Sequence, residues 1–287
     1  MSRLSVAKTY KLYIGGAFVR SESGRVYEVT TKKGAFAANA AKASRKDARD
    51  AVVAARTATA KWAALTPYNR GQVLYRVAEL LEGRRAQFVQ EIVGGEGVSV
   101  AAANAQVDAA VDLWVWYAGW CDKYLQVAGT ANPVAGPYFN LSVPEPTGVV
   151  AVIAPQGAAD SLLGLVSTVA PAIVSGNAVV VIASESAPLP AVSLTEILAT
   201  SDLPGGVVNV LSGSAAEMAP WLVAHADVNA VDLTGADELD WAGLEAEAAG
   251  TLKRVVRPTG RTLAPPALSR ITALTETKTV WHTKALI

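Results

Sequence analysis

The chain has 287 residues, 51% of them hydrophobic, and its 25 basic and 25 acidic side chains give a formal net charge of zero. Such a length buries a large core in one or two domains. The balanced charge, without long single-sign runs, argues against a nucleic-acid surface, an acidic tail or a polybasic membrane patch.

One cysteine excludes an intrachain disulfide, and with only His225 and His282 beside it there is no ligand set for a structural zinc site. The N-terminal MSRLSVAKTYKLYIGG lacks the apolar core of a signal peptide, and no uninterrupted apolar span reaches membrane-helix length. The expectation is a soluble cytoplasmic protein.

Lys11 to Val29 carries two β-prone runs around a Ser/Gly-rich turn and predicts a hairpin. Ser44 with Asp47 three residues on predicts a helix N-terminus, and Ala48, Ala51, Val52 and Ala55 give that helix an apolar face. Thr66-Pro67 starts a second helix with Pro in its first turn, with Val73, Val77, Leu80 and Leu81 facing inward. A long helix follows over Asn104 to Tyr124, with Val107, Val111, Trp114, Tyr117 and Ala118 on one side. Trp62, Trp114, Trp116 and Trp120 fall on predicted helices, where packing explains them.

The most apolar stretch runs from Glu145 to Glu185. It reads as a strand (Val149 to Ala154), a helix (about Asp160 to Val174), a Gly-Asn turn and a second strand (Ala178 to Ile182). Strands with almost no polar residue suit a parallel sheet buried on both faces, and this length makes a right-handed βαβ unit. The alternation continues through helices near Leu189–Thr200, Ala215–Ala224 and Leu239–Ala249, and strands at Val207–Leu211, Ala230–Leu233 and Lys253–Val256. Five such strands predict an α/β fold, a doubly wound Rossmann-like parallel sheet preceded by N-terminal helices. Arg257 to Pro266, with paired prolines and few apolar groups, reads as a linker.

Several segments resemble the aldehyde dehydrogenase superfamily. Glu145 onward is similar to that family's EPLGVVGVIAPWNFP run, and Lys11–Val29 to its N-terminal hairpin. Trp62–Glu82 matches the paired-helix pattern, and Tyr117–Lys123 resembles YYAGWADK. The resemblance implies that Val127–Val143 is a β-hairpin leaving the core as the family's oligomerisation arm, turning back at Gly136–Asn140. It also implies that Thr275–Trp281 is the C-terminal oligomerisation strand. Residues 1–126 and 144–257 would then form the nucleotide-binding domain, 127–143 and 271–287 the protruding β arm, and 258–270 a linker replacing the catalytic domain. In plan, the chain also resembles the non-catalytic C-terminal half of two-part aldehyde dehydrogenases.

The family's chemistry needs a thiolate nucleophile and an oxyanion donor. The segment carrying that thiolate has no counterpart here, and the oxyanion Asn falls at Gly157. Cys121 aligns with a small residue and reads as a buried small hydrophobe. The Lys that grips the adenosine ribose is Ile182, whereas Glu185 matches the ribose-binding Glu, or else serves as a helix-cap or surface carboxylate. Thr234-Gly235-Ala236 resembles the turn whose helix meets the pyrophosphate. The Gly expected five residues on is Asp240, and the Gly in Leu211–Ser214 is a weaker signal. Glu245 and Glu247, two apart, read as a solvated face.

The expectations are therefore no catalytic residue and no metal. Glu185, Thr234 and Gly235 would be vestigial cofactor contacts, with weak NAD(P) binding at most. Tyr138, Phe139, Thr277, Thr279, Val280 and Trp281 would form an oligomer interface. The function implied is an inactive subunit that pairs with itself or with a full-length aldehyde dehydrogenase. The alternatives are a nucleotide-binding sensor and an enzyme rebuilt around Cys121.

Overall fold

The structure, a computed structural model, describes residues 8–157, 159–258, 260 and 265–284. The N-terminal region holds β1 (Thr9–Tyr10), β2 (Leu12–Ile14), β3 (Ala17–Val19), β4 (Val26–Thr30) and β5 (Phe36–Ala41). Helices α1 (Arg45–Ala64), α2 (Pro67–Gly83), α3 (Arg85–Glu96), α4 (Val100–Ala118) and α5 (Tyr124–Ala128) follow, then β6 (Thr130–Asn132) and β7 (Tyr138–Pro146). The α/β unit runs β8 (Val149–Ile153), α6 (Ser161–Val174), β9 (Ala178–Ile182), α7 (Leu189–Leu198), β10 (Val208–Leu211), α8 (Ala215–Ala224), β11 (Ala230–Asp232), α9 (Trp241–Ala249) and β12 (Arg254–Val256). The short helix α10 (Leu268–Thr272) and β13 (Thr275–Thr283) complete it.

β8 and β9 are buried at every position, which is why neither shows polar alternation. The main sheet has the order β12-β11-β8-β9-β10-β2-β3. The first five strands are parallel, and the β2–β3 hairpin adds antiparallel strands at one edge. The chain moves outward from β8 through β9 to β10, then returns to place β11 on the other side of β8. The topological switch point thus lies between β8 and β11, where α/β sheets bind ligands outside their strand carboxyl ends. One core layer sets α2, α4, α6 and α7 against the sheet, and the other sets α1, α8 and α9 against its opposite face.

Local chemistry explains the helix starts. Ser44 accepts from the amides of Lys46 and Asp47, and Asp47 returns a bond to the Ser44 amide at 2.8 Å. A cap of this kind stabilises a helix by about 1 kcal/mol. Ala48, Ala51, Val52 and Ala55 are all buried, as the spacing predicts. Trp62 and Trp114 are buried, and Trp116 packs on Trp120 with ring centroids 5.3 Å apart.

Several expectations need correction. The Lys11–Val29 stretch is not one hairpin. Gly15 and Gly16, both at positive φ, close a tighter turn between β2 and β3, and β4 leaves to pair with β5 in a separate sheet. The expected long helix starts at Val100, behind a Ser99 cap, and ends at Ala118, with Tyr124 opening the separate α5. The expected linker 258–270 is helical from Leu268, where α10 begins and Ile271 is fully buried; Thr259 and residues 261–264 lie outside the described residues. The strand expected from Ile271 therefore begins at Thr275, and residues 285–287 lie outside the described residues, as do 1–7. Among the described residues no helix is long and apolar enough to cross a membrane.

A third sheet stands apart from the other two, in the order β13-β7-β6. β13 pairs antiparallel with β7 along its whole length, from Thr275 opposite Pro146 to Thr283 opposite Tyr138. Asn177 ties this segment to the main sheet. Its Oδ1 accepts from the Gly148 amide at 2.8 Å, and its Nδ2 donates to the Leu274 carbonyl at 2.8 Å.

Candidate functional site

The crevice at the β8–β11 switch point has a volume of about 690 Å³, and its walls include Lys32, Glu96, Gln156, Gly157, Asp160, Thr234, Gly235, Asp237 and Glu238. One wall is the start of α6. Glu96, at the end of α3, accepts from the Ser161 amide (2.8 Å) and hydroxyl (2.6 Å), the Asp160 amide (3.2 Å) and Gln106 Nε2 (2.6 Å). A helix N-terminus carries partial positive charge and free N–H groups, the usual seat of a phosphate. Here a protein carboxylate already occupies it. Burial and the nearby Glu96 charge raise the Asp160 carboxyl above its ordinary range. Asp160 and Asp237 line the same crevice, and among its described lining residues Lys32 is the one base, so the carboxylate at the start of α6 sits where a phosphate would bind.

The three candidate cofactor contacts lie on the same edge of the sheet but do not converge. Glu185 is exposed beyond β9, whereas Thr234 and Gly235 lie beyond β11, with β8 between them. The Glu185 amide donates to Gln156 Oε1 (3.3 Å), and Gln156 Nε2 donates to the Ala154 carbonyl (2.6 Å), so Gln156 joins the loops after β8 and β9. Ile182 is buried inside β9. Thr234 is buried; its amide and hydroxyl both donate to Asp232 Oδ1, at 2.9 and 2.5 Å. A Cβ at Gly235 would overlap the Ala154 carbonyl, so the backbone approach there demands glycine with or without a ligand. The helix expected near Leu239–Ala249 runs from Trp241 to Ala249, and Asp240 caps it by accepting from the Gly243 amide at 3.0 Å.

Three features were not found from the sequence. Glu96 is flanked by glycines and gives no motif. Arg270 bonds Asp232 across 38 positions of sequence. An apolar groove of about 570 Å³ opens between α8 and α9, walled by Ala216, Ala219, Pro220, Trp221, Leu239 and Leu244; only the small residues of α8 signal it.

Cys121 is buried, and its thiol is pushed up to about 12 by that burial. At neutral pH it is a protonated core side chain, not a nucleophile. Among the described residues no cluster of His, Cys, Asp or Glu could hold a metal ion.

Register divides the expected interface residues between the two faces of the arm. Tyr138, Thr277, Thr279 and Trp281 share one face, where Tyr138 meets Trp281 edge-on at 5.8 Å and Ser142 bonds Thr279 at 2.8 Å. Phe139 and Val280 share the other with Leu141 and Val143, and Phe139, Leu141 and Val143 are exposed there. Alternate side chains of a strand point to opposite faces, so this second face carries an apolar stripe.

The aldehyde dehydrogenase family model matches residues 18–260, most of the chain. The chain belongs to the aldehyde dehydrogenase family. The Bacillus subtilis (strain 168) protein DhaS is 31% identical over 256 residues, covering 88% of this chain and 50% of that one. Among solved structures, the NAD+ complex of aldehyde dehydrogenase from Bacillus cereus superposes with a TM-score of 0.79 at 27% identity, over 86% of this chain and 50% of that one. HpcC from Thermus thermophilus gives a TM-score of 0.81 at 30% identity, covering 86% and 47%. The chain thus spans about half the length of these relatives. Its α/β unit has the Rossmann-like fold of the family's NAD-binding domain.

Proposed function

We propose that this chain is a non-catalytic aldehyde-dehydrogenase subunit that assembles through its β arm, with a second copy of itself or with a full-length family member. The observation that carries the reading is a shortcut. β12 ends at Val256 and the arm strand β13 begins at Thr275, so the chain passes from the sheet to the arm with only α10 and its flanking segments between. No further domain fits in that interval. Thiol-dependent aldehyde oxidation has no nucleophile here, because Cys121 is the only cysteine and is shut in the core. Meanwhile β13 pairs with β7 from Thr275 to Thr283, and the Phe139–Leu141–Val143 stripe beside it is the kind of exposed apolar surface that marks a protein contact.

The test is the mass of the purified chain by sedimentation, with and without Phe139→Asp and Leu141→Asp together. These sites are exposed, so the fold tolerates the change while the stripe does not. Assembly lost in the variant supports the reading; an unchanged mass sinks it. Supplied with aldehyde and NAD, the chain alone should give no turnover.

A second reading, a nucleotide-binding sensor, is favoured by two observations: Glu185 is exposed at the sheet's carboxyl edge, and an apolar groove lies open between α8 and α9. Calorimetry with NAD, NADP and ADP separates the two, since a sensor must release or absorb heat.

A further inference from the structure

Away from the crevice, a cavity of about 440 Å³ lies between the small β1–β5–β4 sheet, α3 and the start of α7. Its size falls in the range of small-molecule sites. Part of its wall is apolar, with Val29, Leu189 and Pro190. One carboxylate, Glu91, lines it, and among the described lining residues none is basic.

Glu91 is held in place from three elements. Its Oε1 accepts from Tyr10 Oη (3.2 Å, β1), Gln87 Nε2 (3.1 Å, α3) and Ser193 Oγ (2.7 Å, α7). Its other oxygen, Oε2, is buried and has no hydrogen-bond partner among the described residues. A buried acceptor left unpaired carries a desolvation cost that native structures rarely tolerate without cause. The neighbouring Lys8 ammonium lowers the Glu91 carboxyl only in part, since it pairs with Glu196 at 2.5 Å and sits 4.6 Å over the Tyr10 ring. Arg84 is likewise committed to Glu196, at 2.5 Å. The desolvation of Glu91 also raises its carboxyl above the ordinary range, and an added cation would reverse that shift.

We propose that this cavity binds a small organic cation, a primary ammonium on a short apolar chain, with Glu91 as counter-ion. An ammonium offers three donors and no acceptor, which matches a carboxylate with spare lone pairs and no competing base. The terminal torsion of a glutamate is soft, so a turn of the carboxylate brings the buried Oε2 to the cavity, with Oε1 giving up part of its bonding to Tyr10, Gln87 and Ser193 in exchange for the ammonium. The apolar chain lies on Val29, Leu189 and Pro190. An anion finds no cationic group on these walls, and a neutral alcohol leaves the charge unpaired. The site is separate from the arm and from the switch-point crevice, so it stands whether or not the chain is an assembling subunit.

The test is isothermal titration of n-butylammonium chloride into the full chain, with butan-1-ol and sodium butyrate as size-matched controls. Binding of the ammonium at millimolar concentration, with no heat from either control, is expected. Glu91→Gln should weaken it by about tenfold or more, the scale of one lost charge-assisted contact. Thr30→Lys places a rival ammonium at an exposed wall position and should also abolish binding, which keeps the test decisive if Glu91→Gln fails to fold. The proposal is overturned if n-butylammonium gives no heat, if butyrate or butanol binds equally, or if both variants bind like the parent.

Discussion

Arg270, on the short helix that follows the sheet, donates to Asp232 Oδ2 at 2.8 Å, and that carboxylate is wholly removed from solvent at the end of β11. The same guanidinium reaches the Thr234 hydroxyl at 3.3 Å. The segment after β12 is thereby fastened to the switch point of the sheet, on the side of the α6 core layer. Removing one member of a buried pair strands the other charge, at a cost of about 3–5 kcal/mol. Arg270→Ala should lose stability on that scale in urea unfolding. Asp232→Asn combined with Arg270→Met should recover part of it, because no charge is left to strand and the Asn Oδ1 still accepts from the Thr234 amide and hydroxyl.

Gly235 separates a structural turn from a cofactor contact. Its Cβ position is filled by the Ala154 carbonyl, so Gly235→Ala should destabilise the apo chain by about 1–3 kcal/mol, the usual cost of overpacking. Thermal unfolding without nucleotide checks it. An unchanged midpoint would mean that the loop after β8 gives way.

Cys121 offers a chemical readout of the same core. With the thiol buried and pushed up to about 12, a disulfide reagent near neutral pH should leave the native chain unlabelled and label one thiol per chain after unfolding. Rapid native labelling would contradict the packing of α4 against α2.

Arg254 and Glu276 join the main sheet to the arm through two bonds, 2.6 and 2.9 Å. The guanidinium's hydrogen bonds hold the Glu276 carboxyl below its ordinary range. A depressed carboxyl contributes stability above its unfolded pKa and loses it as pH falls through the folded one. Both side chains are largely exposed, so the contribution is at most about 1 kcal/mol and shrinks with salt. Melting curves of Glu276→Gln against the parent should differ near neutrality in low salt and converge in acid.

The pH dependence of Glu91 has the opposite sign. Burial raises its carboxyl, so the folded state favours the protonated form, and that advantage disappears as pH rises through the folded pKa. Glu91→Gln should therefore gain stability relative to the parent as pH rises from the acid range towards neutrality. A constant difference across that window would show that its three donors fully offset the desolvation.

The α/β unit was legible because its physics is local. β8 and β9 are apolar throughout since both faces are covered, and Ser44 and Asp47 announce a helix within four residues. α3 was not legible: it carries Gly94 and Gly95 in its last turn, residues of low helix propensity, and only Phe88, Ile92 and Glu96 are buried. β5 reads FAANAA, with little β propensity, and exists because Ala38, Ala40 and Ala41 fit closely packed positions. The crevice was legible only in part. Glu185, Thr234 and Gly235 could be named from resemblance, yet what Thr234 bonds to depends on Asp232 and on Arg270 from a distant helix. Glu96 reaches α6 only through the packing of α3, which no spacing in the sequence encodes.

The most direct test of the account is the intact mass of the assembly purified at native abundance from its own cells, with every chain in it identified. The account predicts a defined complex holding either a second copy or a full-length aldehyde dehydrogenase in fixed ratio, which dissociates when Phe139 and Leu141 are both changed to Asp. A single chain at every concentration, or a complex indifferent to those two substitutions, would contradict it.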